Sequence, residues 1–106
     1  MCVELYRETR AFPVTERLGL TIQIGRAAVS IPVNIAEGVG RRSRREFARF
    51  LSVSRGSVNE LFVLLDLAHQ TGLMDQERFA KYAQLIERIF AMTSGPMRKL
   101  DPARPA

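Results

Sequence analysis

Residues 19–61 read GLTIQIGRAAVSIPVNIAEGVGRRSRREFARFLSVSRGSVNEL, two apolar-periodic runs separated by two glycines and a cluster of arginines. In the first run Leu20, Ile24, Ala27, Ile31 and Ile35 recur at three- and four-residue spacing, which places them on one face of an α-helix. Pro32 lies inside this run. It removes the hydrogen bond to the Ala28 carbonyl, but the spacing continues on both sides, so the expectation is a kink rather than a stop. Gly38 and Gly40 break the pattern. Ser43 followed by Glu46 then has the spacing of a capping box, directly before Phe47, Leu51, Ser54, Val58, Leu61, Leu65 and Ala68.

Working outward, a first helix is expected over residues 2–12, with Cys2, Leu5, Tyr6 and Thr9 on one face and Pro13 ending it. The second spans about 16–39 and the third about 43–71, stopping near Gly72. Asp75 caps a fourth over 75–95, with Phe79, Tyr82, Ile86, Ile89 and Phe90 inward and an end at Gly95-Pro96. Residues 101–106, DPARPA, read as a frayed tail. Alternating strand patterns are absent and the linkers are short. Residues 1–100 are therefore expected to form one all-α domain, an antiparallel up-down four-helix bundle.

Composition narrows the function mainly by exclusion. The 106 residues suit a single domain, and no stretch approaches the ~18 apolar residues of a membrane span. The N-terminus lacks the pattern of a secretion signal, so the expectation is a cytoplasmic protein. One cysteine, Cys2, closes no intrachain disulfide, and with one histidine, His69, it builds no ordinary zinc site. His69 reads as a helix-edge residue rather than a general base, and Gly38-Val39-Gly40 as a helix stop rather than a phosphate loop. No catalytic residue, metal or cofactor is expected.

The net charge of +5 is local. Residues 41–55 carry Arg41, Arg42, Arg44, Arg45, Arg49 and Arg55 against Glu46 alone, and the rest of the chain balances. Cations in the first turn of a helix oppose its dipole by a few tenths of a kcal/mol each, so their accumulation around Ser43 calls for an anion. Arg41, Arg42, Arg44, Arg45 and Arg49 are the candidate contacts to an RNA or DNA backbone, with Arg42, Arg45 and Arg49 aligned on one helix face. Phe47 and Phe50, the nearby aromatics, read as core-facing, which argues against base-specific stacking. The competing readings are a solvated basic surface and an acidic protein partner.

The second helix has apolar residues on two flanks, one of them carrying Leu18, Ile22, Val29, Val33 and Ala36. The first helix, about 17 Å long, is too short to cover both, so one flank is expected to meet a second subunit. On the third helix Ser52, Gly56, Val63 and Leu67 form a row opposite the core stripe that admits close helix approach. Ile22, Val29, Val33, Ala36, Gly56, Val63 and Leu67 are thus the candidate oligomer interface. Between the flanks runs a polar stripe, Gln23, Arg26, Ser30, Asn34 and Glu37, which either forms a polar site or bonds to Ser57 and Glu60 of the third helix or to a neighbouring subunit and fixes register.

SIPVNIAEG at 30–38, the basic stretch after it, the EF-x-x-FL segment at 46–51 and the GS-x-x-EL segment at 56–61 form a specific combination. In that combination the chain resembles the four-helix bundle proteins encoded in intervening sequences of bacterial 23S ribosomal RNA genes, over roughly residues 5–72. The resemblance implies a ring-like homo-oligomer, a pentamer, with no established enzymatic activity. Similar bundles serve as accessory proteins to reverse transcriptases of diversity-generating retroelements, where a basic ring surface is thought to contact nucleic acid. A reverse transcriptase or other protein partner is therefore among the implied partners. The chain departs from the pattern at Gly25, where arginine is common, and in a shorter lead into the first helix, which a start codon assigned too late would produce.

Overall fold

The computed structural model describes residues 1–12 and 17–100, with the side chains of 1–12 and 19–93. Its described residues are helical and contain no strand. Helix α1 is Cys2–Thr9, α2 is Ile22–Val39 entered through a wider π-helical turn at Arg17–Thr21, α3 is Arg44–Gln70 and α4 is Gln76–Leu100. The expected all-α four-helix bundle is the fold. The expected start of the second helix near residue 16, and the tail 101–106, lie outside the described residues.

Helix α1 is shorter than expected, ending at Thr9 rather than at residue 12. The donor that would continue it onto the Thr9 carbonyl is the N–H that Pro13 lacks. That carbonyl accepts instead from the Phe12 N–H at 3.1 Å and from Thr21 Oγ1 at 3.3 Å. Pro32 sets the same problem inside α2, which nevertheless runs unbroken from Ile22 to Val39. The Ala28 carbonyl it frees accepts from the Cys2 thiol at 3.1 Å, so α1 supplies the donor that the proline removes. Helix α4 continues to Leu100, past the Gly95-Pro96 pair at which an end was expected. A proline's missing hydrogen bond does not always end a helix, as α2 also shows.

The remaining ends follow local chemistry. Ser43 Oγ accepts from the Glu46 N–H at 3.0 Å and starts α3, a cap whose loss costs ~1 kcal/mol. Asp75 Oδ1 accepts from the Arg78 N–H at 2.8 Å at the start of α4. At the end of α3 the Leu73 N–H reaches the Ala68 carbonyl at 2.9 Å and the Gly72 N–H the His69 carbonyl at 3.1 Å. This closure requires positive φ at Gly72, observed at 83°.

Every neighbouring pair runs antiparallel. Cys2 meets Ala28 and Tyr6 meets Gly25; Ser54 bonds Ile31 and Ser57 bonds Ser30; Phe62 packs on Phe79 and Arg55 on Phe90. In each pair one number rises as the other falls. The molecule measures 45 × 23 × 18 Å, and α1, about 12 Å long, lines only one end of it. There Leu5, Phe12, Ile24, Ala28, Leu61, Leu65, Ala68, Tyr82 and Ile86 form the core. The opposite end is more thinly covered: Ile35, Phe47, Phe50, Ile89 and Phe90 are only partly buried. That is the end where α3 begins.

Candidate nucleic-acid interface

Gly38 brings the end of α2 against the start of α3. A Cβ there would sit 3.0 Å from the Phe50 Cβ and 3.4 Å from the Phe47 carbonyl oxygen, so a side chain at 38 would push the two helices apart. The close approach places the loop 40–43 and the first turns of α3 at one tip of the molecule, where Arg41, Arg42, Arg44, Arg45 and Arg49 are all exposed.

These arginines fall into two groups. Arg41 pairs with Glu37 at 3.4 Å, and Arg49 with Glu46 at 3.0 Å. Both guanidiniums also lie over the Phe50 ring, 5.0 and 4.8 Å from its centroid. Arg42, Arg44 and Arg45 make no ion pair among the described residues. Arg55, counted with the cluster by charge, turns away and lies 4.8 Å over Phe90 between α3 and α4.

Phe50 is therefore not simply core-facing, as its spacing had suggested. It is half-buried and carries two cations, a role whose sequence signal was an aromatic next to Arg49 and one turn from Glu46. Glu46 itself makes half a capping box: its N–H bonds Ser43, while its carboxylate turns outward to Arg49.

Part of the polar stripe lies at the seam of α2 and α3. Ser30 Oγ and Ser57 Oγ are 2.7 Å apart, and Asn34 Nδ2 donates to the Ser30 carbonyl at 2.8 Å and to Ser30 Oγ at 2.9 Å. Gln23, Arg26, Glu37 and Glu60 are exposed, and Glu37 is engaged by Arg41. On either side of the seam, Ile22, Val29, Val33 and Ala36 of α2 and Gly56, Val63 and Leu67 of α3 are exposed on the single chain. Nothing lies within 4 Å of where a Gly56 Cβ would be.

His69 stacks on Phe79 with ring centroids 4.7 Å apart and planes 6° from parallel. Among the described residues, no three His, Cys, Asp or Glu side chains gather as a metal site would require, and no helix is long and apolar enough to cross a membrane.

With this bundle and its basic tip in view, the family model for the 23S rRNA-intervening sequence protein matches residues 1–95. The chain belongs to the 23S rRNA-intervening sequence protein family. No curated protein matches it. The match takes in all of α1, α2 and α3 and most of α4, so the arginine tip, the polar seam and both exposed apolar rows are parts of a 23S rRNA-intervening sequence protein rather than additions to one. At Gly25 a Cβ would lie 3.2 Å from the Tyr6 ring, and the glycine lets that ring lie against α2.

Proposed function

We propose that the chain is a non-enzymatic, self-associating helical bundle that binds the backbone of nucleic acid through the arginine tip of α3. The observation that carries this reading is that Arg42, Arg44 and Arg45 stand exposed at a helix start with no ion pair among the described residues. Such an arrangement costs energy with no ligand present: the cations repel one another and oppose the positive end of the helix dipole. A chain of phosphates relieves both penalties, and guanidinium forks match phosphate oxygens. Self-association, supported by the exposed rows of α2 and α3, repeats the tip and multiplies weak contacts. A phosphate-directed site discriminates little among sequences.

The test is RNA binding against salt concentration. Wild-type affinity is expected to fall with salt, with a slope of about −0.7 per phosphate contacted on a single strand, and to change little among sequences of equal length. Reversing Arg42, Arg44 and Arg45 to glutamate is expected to abolish binding and leave the assembly intact. Absence of wild-type binding at ~50 mM salt, where such contacts are strongest, overturns the reading. Loss of the assembly in the triple variant would place the arginines in a subunit interface instead.

A further inference from the structure

The two paired arginines differ from the three unpaired ones in a way that mere accumulation of charge does not explain. Arg41 enters from the loop and Arg49 from the second turn of α3, yet both guanidiniums come to lie over one ring, that of Phe50. Each is also held by a carboxylate from its own helical surface, Glu37 at i−4 from Arg41 and Glu46 at i−3 from Arg49. An exposed arginine ordinarily samples many rotamers, and ordering it on a ligand costs entropy. Here the ring and the carboxylates meet that cost before any ligand arrives.

We propose that Phe50 is a positioning residue for phosphodiester binding: it holds Arg41 and Arg49 as a preset pair of forks, and Glu37 and Glu46 occupy those forks until a backbone phosphate displaces them. The proposal rests on the nucleic-acid reading of the tip and adds a division of labour to it. Arg42, Arg44 and Arg45 draw the polyanion in and meet its phosphates as unpaired cations, while Arg41 and Arg49 add a short-range grip that is set before the ligand arrives. The exchange at each fork is of like for like. A carboxylate leaves to water as a phosphate oxygen arrives, so the guanidinium is never left bare and the ion pair costs affinity rather than abolishing it. Because the Phe50 ring already carries two cations, it is not free to serve as a base-stacking platform, so the grip is on the backbone.

The experiment measures binding of a labelled single-stranded RNA of mixed sequence and, in parallel, of poly-glutamate of similar charge, with helicity and assembly state recorded for every variant. Phe50→Leu is expected to weaken RNA binding about five- to thirty-fold, the scale of two surface cation–π contacts, and to leave the salt slope unchanged because the same phosphates are met. Phe50→Tyr keeps the ring face and is expected to restore wild-type affinity, which a purely volume-filling role for Phe50 would not distinguish from leucine. The double variant Glu37→Gln, Glu46→Gln is expected to bind several-fold more tightly at low salt. It keeps a glutamine at the capping-box position, so α3 still starts normally. A control with the same change of net charge, Glu77→Gln with Glu87→Gln on exposed positions of α4, is expected to gain markedly less.

Wild-type affinity in Phe50→Leu, or equal gains in the two glutamine pairs, overturns the positioning role and the displacement while leaving backbone binding itself standing. Absence of wild-type RNA binding overturns both. Poly-glutamate binding as tight as RNA overturns the phosphodiester assignment in favour of an acidic protein partner. Should Phe50→Leu lose helicity, the glutamine pairs alone decide the matter.

Discussion

At the residue scale, the two prolines next to or within helices define what other side chains must do. The carbonyl freed by Pro13 is that of Thr9, met by Thr21, and the carbonyl freed by Pro32 is that of Ala28, met by Cys2. The second bond spans 26 positions in sequence and ties α1 to the middle of α2. It predicts a coupling between the two residues. Cys2→Val keeps the side-chain volume and removes the donor, and is expected to cost about 1 kcal/mol in the native background, because the buried Ala28 carbonyl is then left without a partner. In a Pro32→Ala background, residue 32 supplies its own N–H to Ala28, and the same substitution is expected to cost a few tenths of that. Urea unfolding of the four proteins at fixed concentration measures the cycle, and equal costs in both backgrounds would mean that the thiol contributes nothing to the bond. The freed carbonyl was legible from the position of Pro32. Its partner was not, because Cys2 belongs to another helix and spacing within α2 carries no information about what packs over it.

At the scale of elements, α1 shows how far periodicity reaches and where it stops. Leu5 and Thr9 are buried as their spacing requires, while Tyr6 of the same expected face is 48% exposed. On α2, α3 and α4 Ile24, Ala27, Ile31, Leu51, Val58, Leu61, Leu65, Ala68, Tyr82 and Ile86 are buried where their spacing marks them, and Leu20, Ile35, Phe79, Ile89 and Phe90 only partly. The ion pairs that clasp α1 to α4 were not legible, since Glu4 meets Lys81 and Glu8 lies 3.7 Å from Arg78 across about seventy positions of sequence. Nor was the shared ring under Arg41 and Arg49, because a helical wheel assigns Phe50 to one face and cannot represent a side chain that straddles two.

Beneath the clasp lies Tyr82, fully buried, its phenol pushed above the ordinary tyrosine range by burial and then by the Glu8 carboxylate beside it. Lys81 is likewise raised, by its hydrogen bond to Glu4, and Glu4 is lowered by the same bond. The signs follow from linkage. A raised pKa in the folded state gives stability that is complete below the unfolded value, about 10 for tyrosine, and is lost as pH rises through the folded one. The lowered Glu4 works the other way, its small exposed contribution being present above about pH 4.3 and lost as pH falls. Tyr82→Phe is therefore expected to flatten the loss of stability between about pH 10 and 11.5, leaving only the part due to Lys81. At pH 7 the same change is expected to be near neutral, since the Tyr82 hydroxyl has no hydrogen-bond partner among the described residues. Urea midpoints across pH test both, and an unchanged alkaline limb would show that the phenol ionises without unfolding the core.

At the scale of the whole molecule, the two ends differ in kind. One end is closed by α1 and holds the main core, while the other is thinly packed and carries the arginine tip. Along the outer faces of α2 and α3, Val33 and Val63 are 49% and 63% exposed, on either side of the Ser30–Ser57 seam. Large apolar groups exposed in rows on two adjacent helices suit a subunit interface better than solvent. Gly56 gives this a test with opposite signs for its two answers. If its row faces water, Gly56→Ala meets no atom within 4 Å and helix propensity gives a gain of about 1 kcal/mol. If a neighbouring subunit packs closely on the row, the added methyl group forces the helices apart and the assembly weakens. Self-association through these faces predicts the second result, together with dissociation by Val33→Glu, which would bury an unpaired carboxylate. Light scattering coupled to gel filtration at ~10 μM protein, with unfolding followed at the same concentration, reads both variants. A wild type that elutes as a single monomeric species overturns the assembly, and a Gly56→Ala variant that is stabilised with its assembly unchanged removes the α3 row from the interface and leaves α2 to form it alone.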